Sequence, residues 1–181
     1  MKELGLENDG SVVWSVVYNV NPTSVGQVAL ASADPLTPPL IDPNYYSTEV
    51  DRLIVRDVLR KNMRVLLETE AGKSFILSEV PPPGFSALNS TSSDEELDRR
   101  VGALADSSSH PTGTCAMGKV LDSNLRVKGT KGLRVVDASI FPSHITAHNQ
   151  AAVYAVAEKA AGIIISDWQG RNRLAAGLDV A

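Results

Sequence analysis

Residues 110–118 read HPTGTCAMG, residues 124–142 read NLRVKGTKGLRVVDASIFP, and residues 143–168 read SHITAHNQAAVYAVAEKAAGIIISDW. Leu125 and Val127 alternate with charged residues, Lys128 to Gly132 supplies turn chemistry with two glycines, and Leu133 to Val136 is a short apolar run closed by Asp137. That pattern predicts a hairpin leading into a buried strand. Pro142 stops the strand, and from about His148 to Ser166 the sequence is helical. The helix carries Ala151, Val153, Tyr154, Val156, Ala157, Ala160, Ile163 and Ile164 nearly all round its cylinder, so it is expected to be covered on most faces. Two histidines, His110 and His148, fall at the ends of predicted elements with the Asp137-Ala138-Ser139 strand end between them. A free histidine titrates near 6.5, so a pair aimed at one pocket is suited to taking and returning a proton near neutral pH.

The start of the long helix leaves backbone N–H groups unpaired and carries partial positive charge, which places Asn149 and Gln150 where an anionic group would be stabilised. These motifs together resemble the C-terminal end of the glucose-methanol-choline (GMC) family of flavin alcohol oxidases and dehydrogenases, nearest its fungal aryl-alcohol oxidase branch. His110 with Gly113-Thr114 matches the family's H-x-x-G-T, whose histidine is the catalytic base or its close neighbour. His148 resembles the family's second active-site position, and the motif alone leaves open which of the two is the base. Asp137 to Pro142 resembles the strand and turn that run along FAD, which implies cofactor contacts from Asp137 and Ala138. The helix from Asn149 resembles the one that faces the pyrimidine end of the isoalloxazine, implying contacts from His148, Asn149 and Gln150. The stretch from Val16 to Asp51 is similar to the family's substrate-domain sheet, and the resemblance as a whole runs from about Val12 to Trp168.

For 181 residues with 43% hydrophobic and 21% charged positions, the expectation is a globular chain with a sizeable core. The net charge is −4 and no basic run exceeds two residues, which argues against nucleic acid or an anionic membrane as a partner. No two glycines are separated by a single residue, so no G-x-G-x-x-G exists anywhere in the chain. The family resemblance implies such a fingerprint for the ADP half of FAD, and the expectation is that this chain alone does not retain the cofactor. Cys115 is the only cysteine, so no intrachain disulfide is possible, and its simplest role is a small buried hydrophobe. The first residues are polar and acidic with no apolar signal region, which predicts a cytoplasmic protein, although the relatives it resembles are often secreted.

Taken in order, Val12 to Val20 and Gly26 to Ser32 flank Asn21-Pro22-Thr23-Ser24 and predict an antiparallel pair. Asp34 to Asn44, crowded with Pro35, Pro38, Pro39 and Pro43, is expected to be an ordered surface crossing. Ser47 or Thr48 caps a helix running to about Leu67 with a Val55, Leu59, Met63, Leu66 stripe. Its arginines, Arg52, Arg56, Arg60 and Arg64, together with Lys61, are read as a solvated face. Glu79 to Ser93 reads as a mobile or lid-like loop, and Ser93 with Glu96 forms a capping-box signature for a helix from Asp94 to about Leu104.

The fold class expected is α+β: an antiparallel substrate-domain sheet with helices over residues 1–105, and over 106–181 the last strand and helix of a Rossmann-like FAD domain. Two other readings of the histidines remain. Zinc held by His110, Cys115, His144 and His148 is disfavoured, because Pro142 argues against one helix through His144 and His148. A cofactor-free isomerase, lyase or cyclase using the His110/His148 cleft, or a non-catalytic dimerising module, is the alternative to FAD-dependent oxidation of a small-molecule alcohol. By resemblance, His110 removes the hydroxyl proton and His148 orients the alcohol. The apolar helix also predicts a homodimer or a complementing chain.

Overall fold

The computed structural model describes residues 9–146 and 148–175. They fall into two compact units, one of residues 9–26 with 42–108 and the other of 27–41 with 109–175. The elements are β1 (Gln27–Ala29), β2 (Leu40–Asp42), α1 (Glu49–Glu68), α2 (Glu70–Lys73), α3 (Asp94–Leu104), a 3₁₀ turn (Ala138–Ile140) and α4 (Gln150–Ala175). The class is α+β, with a small two-stranded antiparallel sheet and helices. Among the described residues, no helix is long and apolar enough to cross a membrane.

The first unit is organised by α1. Thr48 caps it by accepting from the Asp51 amide, and Glu49 and Asp51 occupy its first turn, where the helix dipole favours acids. Met63 is buried with Leu88 and Leu97, and Leu59 and Leu67 pack against them, so Leu59 and Met63 of the expected stripe face this core, joined by Leu67 rather than Leu66. Thr69 then breaks the helix in an extended conformation and caps the short α2, which sequence reading did not anticipate. Gly72 makes that corner possible: a Cβ there would meet the Leu66 carbonyl oxygen at 2.3 Å and that of Val65 at 2.4 Å, both backbone atoms that cannot yield. α3 begins as expected, with the full Ser93/Glu96 capping box.

Arg56 and Arg60 of α1 correct the solvated-face expectation, whereas Lys61 and Arg64 are exposed as expected. Arg56 is buried and grips Asp98 of α3 with two bonds, Nε to Oδ1 at 2.7 Å and Nη2 to Oδ2 at 2.5 Å, while its Nη1 reaches Glu49 and Asp94. Arg60 binds Asp94 and the Ser92 carbonyl. Arg56 and Arg60 are four residues apart and both reach acids of α3, so these two charges are spent on helix pairing rather than on water, while Arg52 binds Glu49 and the Tyr46 carbonyl beside its own helix start. The Glu79 to Ser93 loop is likewise tied down. Glu79 accepts from Arg100 at 2.6 Å and from the Leu88 amide at 3.0 Å, Phe85 lies under the guanidinium groups of Arg99 and Arg100, and Ser90 bonds Glu68.

Residues 12–20 form no strand. They are held by side chains, with Ser15 Oγ donating to Asn62 and Asn19 donating to Asp51, and β1 pairs with β2 instead. The cause lies in the proline-rich crossing: Asp34 closes a turn with Leu36 and Thr37, the chain reverses, and Leu40–Asp42 arrives beside Gln27–Ala29. Gly26 permits the approach, since a Cβ there would sit 2.2 Å from the Asp42 carbonyl oxygen.

The second unit is built on Leu121, Leu125, Ile140, Phe141 and Ala160, with Val135, Val136, Ala152, Val153 and Val156 packed around them. The expected hairpin exists in reduced form. An antiparallel bridge joins Arg126 and Arg134, with Val127 donating to the Leu133 carbonyl and Val135 to that of Leu125. Leu133 to Val136 is therefore not the buried strand expected: it is laddered on one side only, and Leu133 is half exposed. α4 starts within two residues of the predicted position and continues well past Ser166 to Ala175. Its Ala152, Val153, Val156 and Ala160 meet the core, while Tyr154, Ile165 and Trp168 are exposed. Asp167 on α4 accepts from both Arg126 and Arg134, which fastens the bridge pair to the helix.

Candidate active site

The two predicted histidines meet. His148 Nδ1 lies 2.8 Å from His110 Nε2, with ring centroids 4.8 Å apart and planes tilted by 45°. His110 is half-buried and His148 exposed. A neutral imidazole has one N–H and one bare nitrogen, so one proton sits between the rings and fixes both tautomers together. If His110 Nε2 donates, His110 Nδ1 is bare and His148 Nε2 carries a proton; if His148 Nδ1 donates, the roles exchange. Either way the pair offers one acceptor and one donor. That is the complement of a hydroxyl group, whose proton needs an acceptor and whose oxygen needs a donor.

The chain around each ring follows from local chemistry. Gly113 has φ +91°, a conformation that L side chains rarely adopt, and the loop past it is bonded in register to the 3₁₀ turn: the Cys115 amide donates to the Ser139 carbonyl at 2.9 Å, and that of Met117 to the Ile140 carbonyl at 2.8 Å. Asp137 caps the turn, its Oδ1 accepting from the Ser139 amide at 2.8 Å and from Ser139 Oγ at 2.5 Å. Ile140 and Phe141 are buried, anchoring the turn in the core.

The remaining predicted site residues are placed as follows. Asp137 is exposed with Oδ1 engaged by Ser139, and Ala138 is half-buried against the core. Asn149 is buried directly after His148, its carbonyl accepting from the Val153 amide at 3.0 Å, and Gln150 opens α4 on the exposed side. The start of α4 thus stands beside the histidine pair. Cys115 is a free, half-buried thiol packed on the core. Among the described residues, no three His, Cys, Asp or Glu side chains are placed to hold a metal. A shallow groove of about 710 Å³ runs along α4 between Asn124 and Asp167 and includes neither histidine. Sequence reading missed the carbonyls of Ser139 and Ile140 that hold the His110 loop. Only the glycine at position 113 signalled a special backbone there.

Comparison with known proteins bears on these residues. The profile of the GMC oxidoreductase family matches residues 22–157. The chain is 44% identical over 164 residues to the GMC-type oxidoreductase acuG of Aspergillus aculeatus, covering 91% of this chain and 31% of the relative. It is 40% identical to the mitochondrial choline dehydrogenase of Mus musculus, covering 82% of this chain and 25% of that one. A formate oxidase of Aspergillus oryzae superposes with a TM-score of 0.72 at 34% identity, over 82% of this chain and 26% of the other. A fungal aryl-alcohol oxidase superposes with a TM-score of 0.65 at 34% identity, over 83% and 25%. The chain thus spans about a quarter to a third of the relatives it matches. With the family profile covering most of its length and the histidine motif inside the matched stretch, this chain belongs to the GMC oxidoreductase family.

Proposed function

We propose that this chain is the C-terminal, histidine-bearing portion of an FAD-dependent oxidoreductase acting on CH–OH groups of small-molecule alcohols. The observation that carries the reading is the 2.8 Å contact between His110 and His148, which makes one outer ring nitrogen of the pair an acceptor and the other a donor. In the tautomer with His110 Nε2 donating, His110 Nδ1 takes the hydroxyl proton and His148 Nε2 donates to the alcohol oxygen, holding it as negative charge develops. FAD supplies the hydride acceptor when bound. The donor set suits its reacting end: the histidine pair stands at the start of α4, where Asn149 and Gln150 and the first-turn amides favour a partly negative group. The adenine end finds no fit in this sequence, which contains no G-x-G-x-x-G. On this reading residues 1–105 belong to the substrate side of the enzyme and 106–181 to the flavin side. The exposed apolar side chains of α4 would be covered by the complementing part of the enzyme, or else by a second copy.

The test joins this chain to the upstream portion of a relative such as acuG. A yellow protein should result, and an alcohol should bleach its flavin anaerobically. His110→Ala should keep the flavin and slow bleaching by about 10² to 10⁴-fold. Unchanged bleaching in that variant would remove His110 as the base. A flavin-loaded chimera that no alcohol in a broad panel reduces would remove the alcohol reading.

A further inference from the structure

Both histidine-bearing segments depart from one place. The loop that follows His110 is bonded onto the 3₁₀ turn through Ser139 and Ile140, and the segment that ends in His148 leaves the same turn at Phe141. A turn of three residues has little internal bonding of its own: the Ile140 amide reaches the Asp137 carbonyl at 3.2 Å, and that of Phe141 reaches Ala138 only at 3.4 Å. The Ser139 amide would be an orphan donor without the Asp137 carboxylate. The same Oδ1 also takes the Ser139 hydroxyl, which holds the residue whose carbonyl receives the Cys115 amide. The hydrogen bonds run from Asp137 through Ser139 to Cys115, from which the chain leads back to Gly113 and His110, and on the other side the chain leads from Ile140 and Phe141 toward His148.

We propose that Asp137 is a positioning residue, whose cap on the Ala138–Ile140 turn sets the distance between His110 and His148. This rests on the reading that the pair is the proton-handling centre, but it concerns only the chain's own atoms. Its role is hydrogen bonding rather than charge. A neutral side chain with an oxygen at the same place does the same work, because Asn caps about as well as Asp, and Ala does not.

The experiment uses the ¹⁵N-labelled chain with no flavin added, under alkaline conditions with both rings neutral, and records the ring nitrogens of the two histidines. In the wild-type chain one inner nitrogen should be protonated, the other bare, and the two coupled across the shared hydrogen bond. Asp137→Asn should preserve that signature. Asp137→Ala should lose it, with both rings averaging between tautomers, while the amide signals of core residues such as Leu121 and Leu125 persist. If Asp137→Ala fails to fold, Ser139→Ala is read instead: it removes the hydroxyl bond and keeps the amide bond, and a weakened coupling supports the proposal while an unchanged one overturns it. An intact signature in Asp137→Ala, its loss in Asp137→Asn, or freely averaging rings in the wild-type chain would each overturn it as well. Flavin bleaching tests the oxidoreductase reading separately, so either can fail while the other stands.

Discussion

The two units solve the same problem with different chemistry. The first has a small apolar centre, Met63, Leu88 and Leu97, and surrounds it with buried charge: Asp51, Arg56 and Arg100 are all nearly inaccessible. The second has a larger apolar core, and its main ion-pair cluster, Arg126 and Arg134 on Asp167, lies toward the surface. Directional bonds hold α1 and α3 at a fixed spacing, but they draw much of their strength from protonation state. Apolar packing around Ile140 is indifferent to pH and sensitive to volume. The histidine pair sits in the second kind of unit, on a turn whose Ile140 and Phe141 are anchored in apolar packing.

The strongest way to break that contrast is Ile140→Ala. The side chain is fully buried at the hub of the second unit, and its loss should cost about 2 to 5 kcal/mol by chemical denaturation, with a fall in the midpoint at unchanged slope. A loss under about 1 kcal/mol would mean that the core collapses around the gap, and that the turn is not the rigid seat described above.

The next test is acid. In the first unit, burial alone would raise the Asp51 carboxyl, but hydrogen bonds from the side chains and amides of Ser24 and Thr23 outweigh it and hold it well below the usual range. Asp98 is held low by the Arg56 hydrogen bonds. A carboxyl with a depressed folded pKa contributes stability that is present above its unfolded value, about 3.9, and is lost as pH falls toward the folded one. Tyr46 has the opposite sign. Burial and its hydrogen bond to Asp98 push its hydroxyl up to about 12, so its contribution is complete below the ordinary tyrosine value and disappears as pH rises through about 12. Amides of α1 and α3 should therefore lose exchange protection below about pH 4, before those of the Leu121 and Ile140 core. Asp167 is also held low, by Arg126 first and then Arg134, but that cluster is solvent-accessible and its effect should fade in salt. Simultaneous loss of protection in both cores would refute the contrast.

What sequence reading captured and missed divides along the same line. Local signals were legible: Thr48, Ser93 with Glu96, and the apolar period of α1 each involve residues within a turn or two of one another. The histidine pair was legible through its motif, although no spacing rule sets a 2.8 Å approach between positions 110 and 148. Arg56 was misread because a buried arginine and a solvated one look alike until the partner helix is in place, and the acids that meet it come from residues 94 and 98. The β-branched runs at residues 12–20 and 133–136 favour extended backbone, which is why they look like strands in sequence. A ladder also requires a neighbour, and here the first run is held by side chains and the second by bridges on one side.

The smallest effect expected is also the most local. Ser93 Oγ accepts from the Glu96 amide at 3.2 Å, and Glu96 returns the bond by accepting from the Ser93 amide at 2.8 Å. Ser93→Ala removes the first, together with the bond that Ser93 Oγ donates to Glu96 Oε2 at 2.9 Å, and should cost about 1 kcal/mol, whereas Ser93→Gly should cost only a few tenths. Asp94 is the first residue of α3 and Asp98 lies one turn on, so fraying from this end withdraws the acids that Arg56 and Arg60 hold. The cap and the ion pairs should then be coupled. In a double-mutant cycle, Ser93→Ala should cost less when Asp94 is already Asn than when it is Asp, since part of its effect is exerted through that carboxylate. Strict additivity would show that the cap acts on the helix alone, and that the charged seam of the first unit holds without it.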